Sequence, residues 1–347
     1  FDRSGTGILA AQDEIAVAVA GALQVRLSDL ASAPEARIID PAAYDLYLRG
    51  TFLYHRRSDG DMVKARDYFE EVVAAAPDYW PAWEALAGAY AILYFSGATV
   101  TAEVAEQGMR NAIEQALRLA PNSADVQVRA ARYHRYFGDE TLMHEHLARA
   151  YELGPRSPLL LAEKSGAHSR RGEFHEALVF QREAVSINPV SALYRSNLAS
   201  VLLAAGQYEE ALSEARRALE LNPGNSLTAT FEVEALILLG RFSEALELAD
   251  HLRDEDRRQL YRAMAQHGLS PDRAASAEAD LLLADSNPGK AALQAILYTF
   301  LGEHDAALDA LESPGASTQR DLRTLIFSPF LQPLHEEPRW QPLVAQR

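Results

Sequence analysis

Hydrophobic residues recur along the chain at the three- and four-residue spacing of amphipathic helices, and short polar turns interrupt them. Alanine and leucine supply most of the apolar positions, whereas β-branched residues are scattered, which favours helix over strand. The longest apolar runs, such as Leu236-Ile237-Leu238-Leu239, stop at a glycine, so none approaches the ~20 residues that cross a bilayer. The pattern predicts an all-α chain of short amphipathic helices.

The pattern repeats every 34 residues. Three kinds of position keep this period: a glycine two residues before an aromatic residue, an alanine in the following helix, and a proline after that helix. The glycines are Gly172, Gly206 and Gly240, the alanines are Ala150, Ala184 and Ala218, and the prolines are Pro155, Pro189 and Pro223. Because independent position types share one period, the sequence indicates a repeat architecture.

The residue types at set positions within one repeat predict its structure. Glycine suits the left-handed conformation that ends a first helix. A small residue, as at Ala177, Ala211 and Ala245, lets the second helix approach the first closely. The proline prevents the second helix from continuing. Each repeat is therefore predicted to be a helical hairpin whose apolar outer face is covered by the next hairpin.

These residues resemble the tetratricopeptide repeat, most closely at Trp83-x-x-Leu86-Ala87-x-x-Tyr90. The resemblance implies a right-handed α-solenoid, a superhelix of about seven to eight hairpins. Residues 36–253 form the predicted regular repeats, with about ten extra residues in the second one. Residues 254–347 are predicted to form degenerate repeats, one of them turning near Gly268, and a capping segment continuous with the same solenoid.

Both ends carry a second resemblance. Residues 8–30 have apolar positions at helical spacing, and we expect residues 1–35 to form a connector helix. The strings Phe1-Asp2-Arg3, Gln12-Asp13-Glu14 and Ser328-Pro329-Phe330, with Glu337-Pro338-Arg339-Trp340, are similar to segments of large bacterial regulators. In those proteins the repeats follow a TolB-like domain. His335 stands where the family more usually has arginine, and Trp340 where it has phenylalanine.

The resemblance implies that this chain is the carboxy-terminal part of a longer regulator. The remainder would carry a class III adenylate or guanylate cyclase domain, or a winged-helix DNA-binding domain. The chain begins at Phe1 without a signal-peptide pattern, which agrees with that expectation. We expect a cytoplasmic protein, or a periplasmic one if a membrane helix lies upstream.

Charge and composition limit the kinds of binding and catalysis that we expect of this chain. The formal net charge is -16, the pI is about 5.1 and no long basic run is present, so we predict no nucleic-acid binding. Cysteine is absent, which excludes disulfides and thiol chemistry. His144 and His146 are two residues apart and point away from each other on a helix, and Asp59-Gly60-Asp61 lacks the remaining ligands of a calcium loop. We predict no metal, no cofactor and no enzyme activity.

The first helices of successive hairpins are predicted to line a concave groove that binds a protein or peptide partner. The groove residues are Arg129, Arg132, Tyr136, Ser169, Arg170, Ser196, Asn197 and Ser200. Arginine and tyrosine are favoured anchors for an acidic segment. The alternative is that these arginines form ion pairs with neighbouring glutamates.

Several apolar side chains are also predicted to face inward. They could contact a helix of the same parent protein that lies in the groove, or they could simply pack neighbouring hairpins together. They are Leu193, Leu203, Leu227, Ile237 and Leu238. The sequence thus favours a protein-interaction and regulatory module of a bacterial signalling protein. The alternatives are an assembly or dimerisation region of a cyclase-type polypeptide, which would form a homodimer, and a free-standing scaffold.

Overall fold

The structure, a computed structural model, describes residues 39–56, 60–96, 100–271, 279, 282–283, 290–313 and 326–345. Over these residues the chain consists of helices joined by short turns, with no strand, and the helices pair in antiparallel hairpins. The predicted all-α fold of repeated hairpins is confirmed. The predicted connector, residues 1–35, lies outside the described residues.

The chain divides into two compact units. Unit 1 holds the described residues up to Ser165 and those from Phe180 to Tyr194, and unit 2 holds Gly166–Val179 and the described residues from Arg195 onward. The division falls within the segment that the sequence assigns to regular repeats. The predicted boundary after residue 253, which concerns repeat regularity, stays a prediction.

Unit 1 contains three complete hairpins, in which a first helix packs against the second helix that follows it. Their helices are α1 (Pro41–Arg56), α2 (Asp61–Ala75), α3 (Trp80–Ser96), α4 (Ala102–Leu119), α5 (Ala124–Tyr136) and α6 (Glu140–Leu153). The next three helices contribute residues to both units: α7 (Pro158–Ser169), α8 (Phe174–Ile187) and α9 (Ala192–Ala204).

Unit 2 continues the same pattern. Its further helices are α10 (Tyr208–Leu221), α11 (Ser226–Leu238), α12 (Phe242–Ala249), α13 (Glu255–Leu269), α14 (Ala291–Phe300), α15 (His304–Glu312), a 3-10 helix (Pro329–Glu336) and α16 (Trp340–Ala345). The helix α13 ends one residue after Gly268, where the sequence predicts a turn. Of the second helix predicted there, only residues 279 and 282–283 are described, and they are helical.

The periodic residues occupy the positions predicted for them. The glycines Gly172, Gly206 and Gly240 follow first helices with φ of 74°, 75° and 72°, a left-handed conformation that side chains with a Cβ rarely adopt. The small residues Ala177, Ala211 and Ala245 are fully buried. The second helices α6, α8 and α10 each end two residues before a proline of the 34-residue series. These predictions are confirmed.

The ten extra residues of the second hairpin are mostly helical. The helices α3 and α4 have 17 and 18 residues, against 13 and 14 in α5 and α6. Both hairpins begin three residues after a proline, Pro77 or Pro121, and α4 and α6 both end two residues before one. The insertion therefore lengthens both helices at the end where they meet.

The carboxy-terminal segment covers the last hairpin. The 3-10 helix packs against α14 and α15, and it buries Phe330, Leu331 and Leu334. Arg339 then bonds to Asp309 at 2.6 Å and to Glu312 at 2.7 Å, both on α15. Apolar burial and charge pairing together hold this segment against α14 and α15. That it acts as a cap stays a prediction.

Candidate protein-interaction surface

The first helices of unit 1 lie side by side. The helix α3 contacts α1 on one side and α5 on the other, so side chains from three successive hairpins meet on one surface. We call this the first-helix surface of unit 1. Its polar side chains decide what it can bind, because the apolar faces of the same helices are buried in the core.

Arg129 joins the three first helices. Its Nη2 donates a hydrogen bond to the Tyr54 hydroxyl of α1 at 3.1 Å, and its guanidinium pairs with Glu84 of α3. The side chains of Arg129 and Glu84 are only 14% and 18% exposed. Burial by itself would lower the pKa of Arg129, but the charges of Glu84 and Tyr54 outweigh it and raise that pKa above its ordinary value. Arg129 is therefore a fixed cation at a largely buried position.

Space beside Arg129 is limited by Gly88 of α3. A Cβ at this position would lie 2.7 Å from the Tyr54 hydroxyl and 3.0 Å from the guanidinium carbon of Arg129. Glycine is therefore required for the polar contact between α1, α3 and α5 to close.

Arg132 and Arg135 converge on a single carboxylate. The Nε of Arg132 donates to Glu163 of α7 at 2.6 Å, and Arg135 pairs with the other oxygen of the same side chain. The two arginine side chains are 23% and 24% exposed, whereas that of Glu163 is 7% exposed. The guanidinium carbon of Arg135 also lies 5.0 Å from the centre of the Tyr136 ring. We refer to Arg129, Arg132 and Arg135 as the arginine cluster.

Burial and neighbouring charges shift pKa values in and around the arginine cluster. Burial and the neighbouring Arg129 charge lower the pKa of Arg132. Nearby, burial and the Asp125 carboxylate raise the pKa of the Tyr194 hydroxyl, against the lowering effect of the two arginines. The tyrosine thus stays a neutral hydroxyl among charged neighbours.

The structure places the predicted groove residues in two sets. Arg129, Arg132 and Tyr136 belong to unit 1 and come together on its first-helix surface. Ser169, Arg170, Ser196, Asn197 and Ser200 belong to unit 2. That all eight line one groove stays a prediction.

Within unit 2 the predicted residues differ in accessibility. Ser196 is 4% exposed, and its hydroxyl accepts a hydrogen bond from the equally buried Thr228 of α11 at 2.7 Å. Asn197 and Ser200 are half-buried on the same helix, and Arg170 is exposed. Ser196 therefore contributes to helix packing, and Arg170 offers the most accessible charge of this set.

A second polar contact joins first helices of unit 2. The hydroxyl of Tyr261 on α13 donates to Glu234 of α11 at 2.5 Å. Burial raises the pKa of Glu234, against the lowering effects of this hydrogen bond and of Arg257. Tyr261 is itself buried, and burial with the adjacent carboxylate raises the pKa of its hydroxyl.

Sequence reasoning missed Arg135, Glu84 and Glu163. The spacing of Arg129, Arg132 and Arg135 on one helix was a usable signal, because residues three apart share a helix face. The two glutamates could not be found in this way, since their contacts join separate hairpins. The alternative that the predicted arginines pair with nearby glutamates describes the observed contacts of Arg129 and Arg132.

The predicted inward apolar positions are mixed. Leu203 and Ile237 are 3% and 2% exposed and belong to the packed interior of unit 2, whereas Leu227 is 49% exposed. Leu193 and Leu238 are half-buried. Packing between hairpins therefore accounts for Leu203 and Ile237, which is one of the two alternatives that the sequence offers for these residues.

The metal-like motifs have ordinary surroundings. His146 stacks on His134 with ring centres 5.4 Å apart, and its Nδ1 lies 2.6 Å from the side-chain oxygen of Gln127. Asp61 is buried at the start of α2, directly after Gly60. Within the described ranges, no group of three potential metal-ligating side chains occurs, and no helix is long and apolar enough to span a bilayer.

The stacked hairpins define a helical-repeat protein. Residues 202–267 match the sequence model of the tetratricopeptide repeat, in agreement with the predicted repeat class. No curated protein matches the chain by sequence.

Solved structures share the fold at low identity. The human IFIT1 dimer with m7Gppp-AAAA is 14% identical, with a TM-score of 0.54, over 82% of this chain and 74% of that chain. The human IFIT1 dimer with PPP-AAAA is 16% identical, with a TM-score of 0.51, over 76% and 68%. A tetratricopeptide repeat protein from Parabacteroides merdae is 12% identical, with a TM-score of 0.48, over 69% and 98%. The likeness to the two IFIT1 structures is one of fold.

Proposed function

We propose that this chain is a protein-interaction module of a bacterial signalling protein, and that the first-helix surface of unit 1 binds an acidic segment of a protein partner. Tetratricopeptide hairpins of the kind seen here form surfaces rather than enclosed clefts. The proposal includes no catalytic role for the chain.

The convergence of Arg132 and Arg135 on Glu163 carries the proposal. Two guanidinium groups converge on one carboxylate, so positive charge is concentrated at this part of the first-helix surface. About a quarter of each arginine side chain is exposed, and the Nη1 atom of Arg135 is itself buried. Arginine binds carboxylates through two parallel hydrogen bonds, which makes a partner's aspartate, glutamate or terminal carboxylate the fitting ligand.

The overall charge supports the same choice of ligand. The chain as a whole carries a net charge of -16, so it repels acidic ligands in general. A local concentration of arginine side chains within such a chain directs an acidic segment to one place, since complementarity sets register and association rate. Tyr136, beside Arg135, adds an aromatic surface of the kind that anchors interfaces.

The regulatory part of the proposal rests on the similarity of the chain ends to bacterial regulators. A partner that binds one arrangement of the hairpins more tightly would bias an attached output domain by that difference in affinity. Measurements of molar mass and of peptide binding also test the assembly alternative. A strictly dimeric chain that retains no peptide would favour an assembly region over a partner-binding module.

A single substitution tests the surface. Arg135→Gln removes one of the two positive charges but leaves the 2.6 Å bond between Arg132 and Glu163, so the Glu163 carboxylate keeps a cationic partner. A library of displayed acidic peptides is selected on the wild-type chain, and affinities are measured by fluorescence anisotropy. We expect Arg135→Gln to weaken binding about tenfold, equal to about 1.4 kcal/mol.

The matched control is Arg118→Gln on the second helix α4, where the guanidinium bonds only to Gln115 of the same helix in the contacts described. Its affinity for the peptides should stay within about twofold of wild type, as is usual for exposed charges. Selection of no acidic peptide, or equal losses in the two variants, would refute the assignment of this surface.

A further inference from the structure

Arg132 has hydrogen-bond donors that the protein does not use. An arginine side chain offers one N–H group on Nε and four on its two outer nitrogens, Nη1 and Nη2. The Nε of Arg132 donates to Glu163, but among the described residues the outer nitrogens have no acceptor. Unlike Nη1 of Arg135, neither of these nitrogens is enclosed by the protein. They are therefore available to a ligand.

The hydroxyl of Tyr194 is a second unused donor. Tyr194 lies near the start of α9 and belongs to unit 1. Its carbonyl accepts a hydrogen bond from Gln181 at 2.8 Å, and its amide donates to Ser191 at 3.3 Å. Across the described ranges, however, its hydroxyl bonds to no other group, although the side chain is half-buried. Because most hydroxyls in such positions have a partner, this one is a candidate for binding a ligand.

The two unused donors lie close together. The charges of Arg132 and Arg129 act on the pKa of the Tyr194 hydroxyl, and Tyr194 in turn acts on the pKa of Arg132. Such effects mark neighbouring groups, because salt screens charges beyond about 8 Å. The Asp125 carboxylate also acts on Tyr194, but it already accepts a hydrogen bond from the Ser157 hydroxyl at 2.6 Å. An anion beside Arg132 can thus accept from both unused donors without breaking a described contact.

The first-helix surface of unit 1 curves inward at this place. Tyr54 of α1 acts on the pKa values of both Arg132 on α5 and Tyr194 on α9. These helices belong to the first, third and fifth hairpins, and they can approach one another only if the row of hairpins bends. The unused donors therefore lie in a concave part of the surface, where a ligand contacts several helices at once.

We infer that Tyr194 and the outer nitrogens of Arg132 form a subsite for one carboxylate of the acidic partner segment. The inference rests on the proposed function, since it names the group by which that segment is held. A carboxylate has two oxygens that suit the paired donors of an arginine, and a remaining lone pair accepts from the tyrosine hydroxyl. The carboxylate belongs to an acidic side chain or to the carboxy-terminus of the partner, because both present the same chemistry.

Removal of one hydroxyl tests the subsite. Tyr194→Phe keeps the ring and so preserves the packing of α9. Affinity of the whole chain for a fluorescein-labelled hexaglutamate peptide is measured by fluorescence anisotropy. We expect Tyr194→Phe to bind about tenfold more weakly, as for a lost hydrogen bond to a charged group. Arg132→Lys keeps a cation beside Glu163 but lacks the paired donors, and it should lose a similar factor.

Tyr79→Phe is the matched control within unit 1. The Tyr79 hydroxyl also has no hydrogen-bond partner in the part of the chain that the structure describes. Its ring packs against Tyr47 with centres 5.3 Å apart, rather than against the arginine cluster. Affinity for hexaglutamate should stay within about twofold of wild type. Circular dichroism of each variant confirms that it is folded, and a hexaglutamine peptide should not bind.

Amidation of the peptide identifies the source of the carboxylate. If the effect of Tyr194→Phe disappears with the amidated peptide, the subsite holds the terminal carboxylate, and if the effect persists, it holds a side chain. Either result supports the inference. Binding that Arg135→Gln weakens but Tyr194→Phe leaves within about twofold overturns the inference and leaves the proposed function standing. Equal losses in Tyr79→Phe and Tyr194→Phe overturn it as well, and no binding by the wild-type chain overturns both proposals.

Discussion

Units 1 and 2 are built from the same kind of helical hairpin, but different side-chain contacts join their first helices. In unit 1, ion pairs of Arg129 and Arg132 cross from one first helix to another. In unit 2, the hydroxyl groups of Thr228 and Tyr261 donate hydrogen bonds to Ser196 and Glu234 of neighbouring first helices. An ion pair of 2.9 Å also joins Lys290, at the start of α14, to Asp256 of α13. Neighbouring hairpins can therefore be joined by charge or by neutral hydroxyls without a change of backbone plan.

The difference matters for function as well as for stability. Charged contacts between hairpins are costly to break but leave guanidinium groups near the surface, where an anionic ligand can reach them. In the hydroxyl contacts, the O–H group already donates a hydrogen bond inside the protein, so it is not available to a ligand. The unit joined by arginines is for this reason the one in which we place the partner site.

The largest expected effect comes from the charged contact of unit 1. Arg129→Met leaves Glu84, which is 18% exposed, without its cation, and we expect a loss of roughly 3 kcal/mol in the free energy of unfolding. Thr228→Val removes a neutral hydrogen bond in unit 2 and should cost about 1 kcal/mol. Urea denaturation followed by circular dichroism measures both values.

A rescue variant sharpens this comparison. Combining Arg129→Met with Glu84→Gln removes both charges and should restore most of the stability lost by the single change. Equal losses for Arg129→Met and Thr228→Val would mean that the two kinds of contact contribute alike, and the distinction between the units would fail.

A smaller effect is expected from a pair of helical glycines. Gly88→Ala places a Cβ 2.7 Å from the Tyr54 hydroxyl and should cost about 1 to 2 kcal/mol by overpacking. Gly166→Ala in unit 2 meets only the flexible end of Arg170 at 3.3 Å and should stabilise its helix by up to about 1 kcal/mol. Thermal unfolding distinguishes them, and a stabilised Gly88→Ala variant would contradict the tight contact at Arg129.

The smallest effect concerns pH. The folded-state pKa of Glu234 is raised by burial, so the folded chain holds this proton more tightly than the unfolded chain does. The stability that results is fully present below the unfolded pKa and is lost as pH rises through the folded pKa. Glu234→Gln lacks this loss and can still accept the Tyr261 hydrogen bond.

The variant should therefore gain stability relative to wild type as pH rises above the ordinary glutamate pKa of about 4.3. Urea denaturation at several pH values measures the difference. A constant difference between the two proteins would show that the carboxyl group of Glu234 titrates in the folded chain as it does when unfolded.

Local signals in the sequence were enough to predict the hairpins. Gly206, Ala211 and Pro223 each act within one repeat, through a turn conformation, a close helix crossing and a helix end. Periodicity then identifies them by repetition. The polar contacts between hairpins were not predictable in this way. Glu84 and Arg129 are 45 residues apart, and their contact depends on how two hairpins rotate against each other.

The carboxy-terminal segment contains an aromatic contact. His335 and Trp340 stack with ring centres 4.8 Å apart. The sequence revealed both residues but not their contact, because a turn separates the 3-10 helix from α16.

The lengthened second hairpin has a practical consequence. Four additional residues on each of α3 and α4, relative to α5 and α6, carry the tip of this hairpin about 6 Å beyond that of its neighbour. A projecting tip is a natural place to insert an affinity tag or attach a fluorophore. Such a reporter would lie at the opposite end of α3 from Glu84, which contacts Arg129 near the start of that helix.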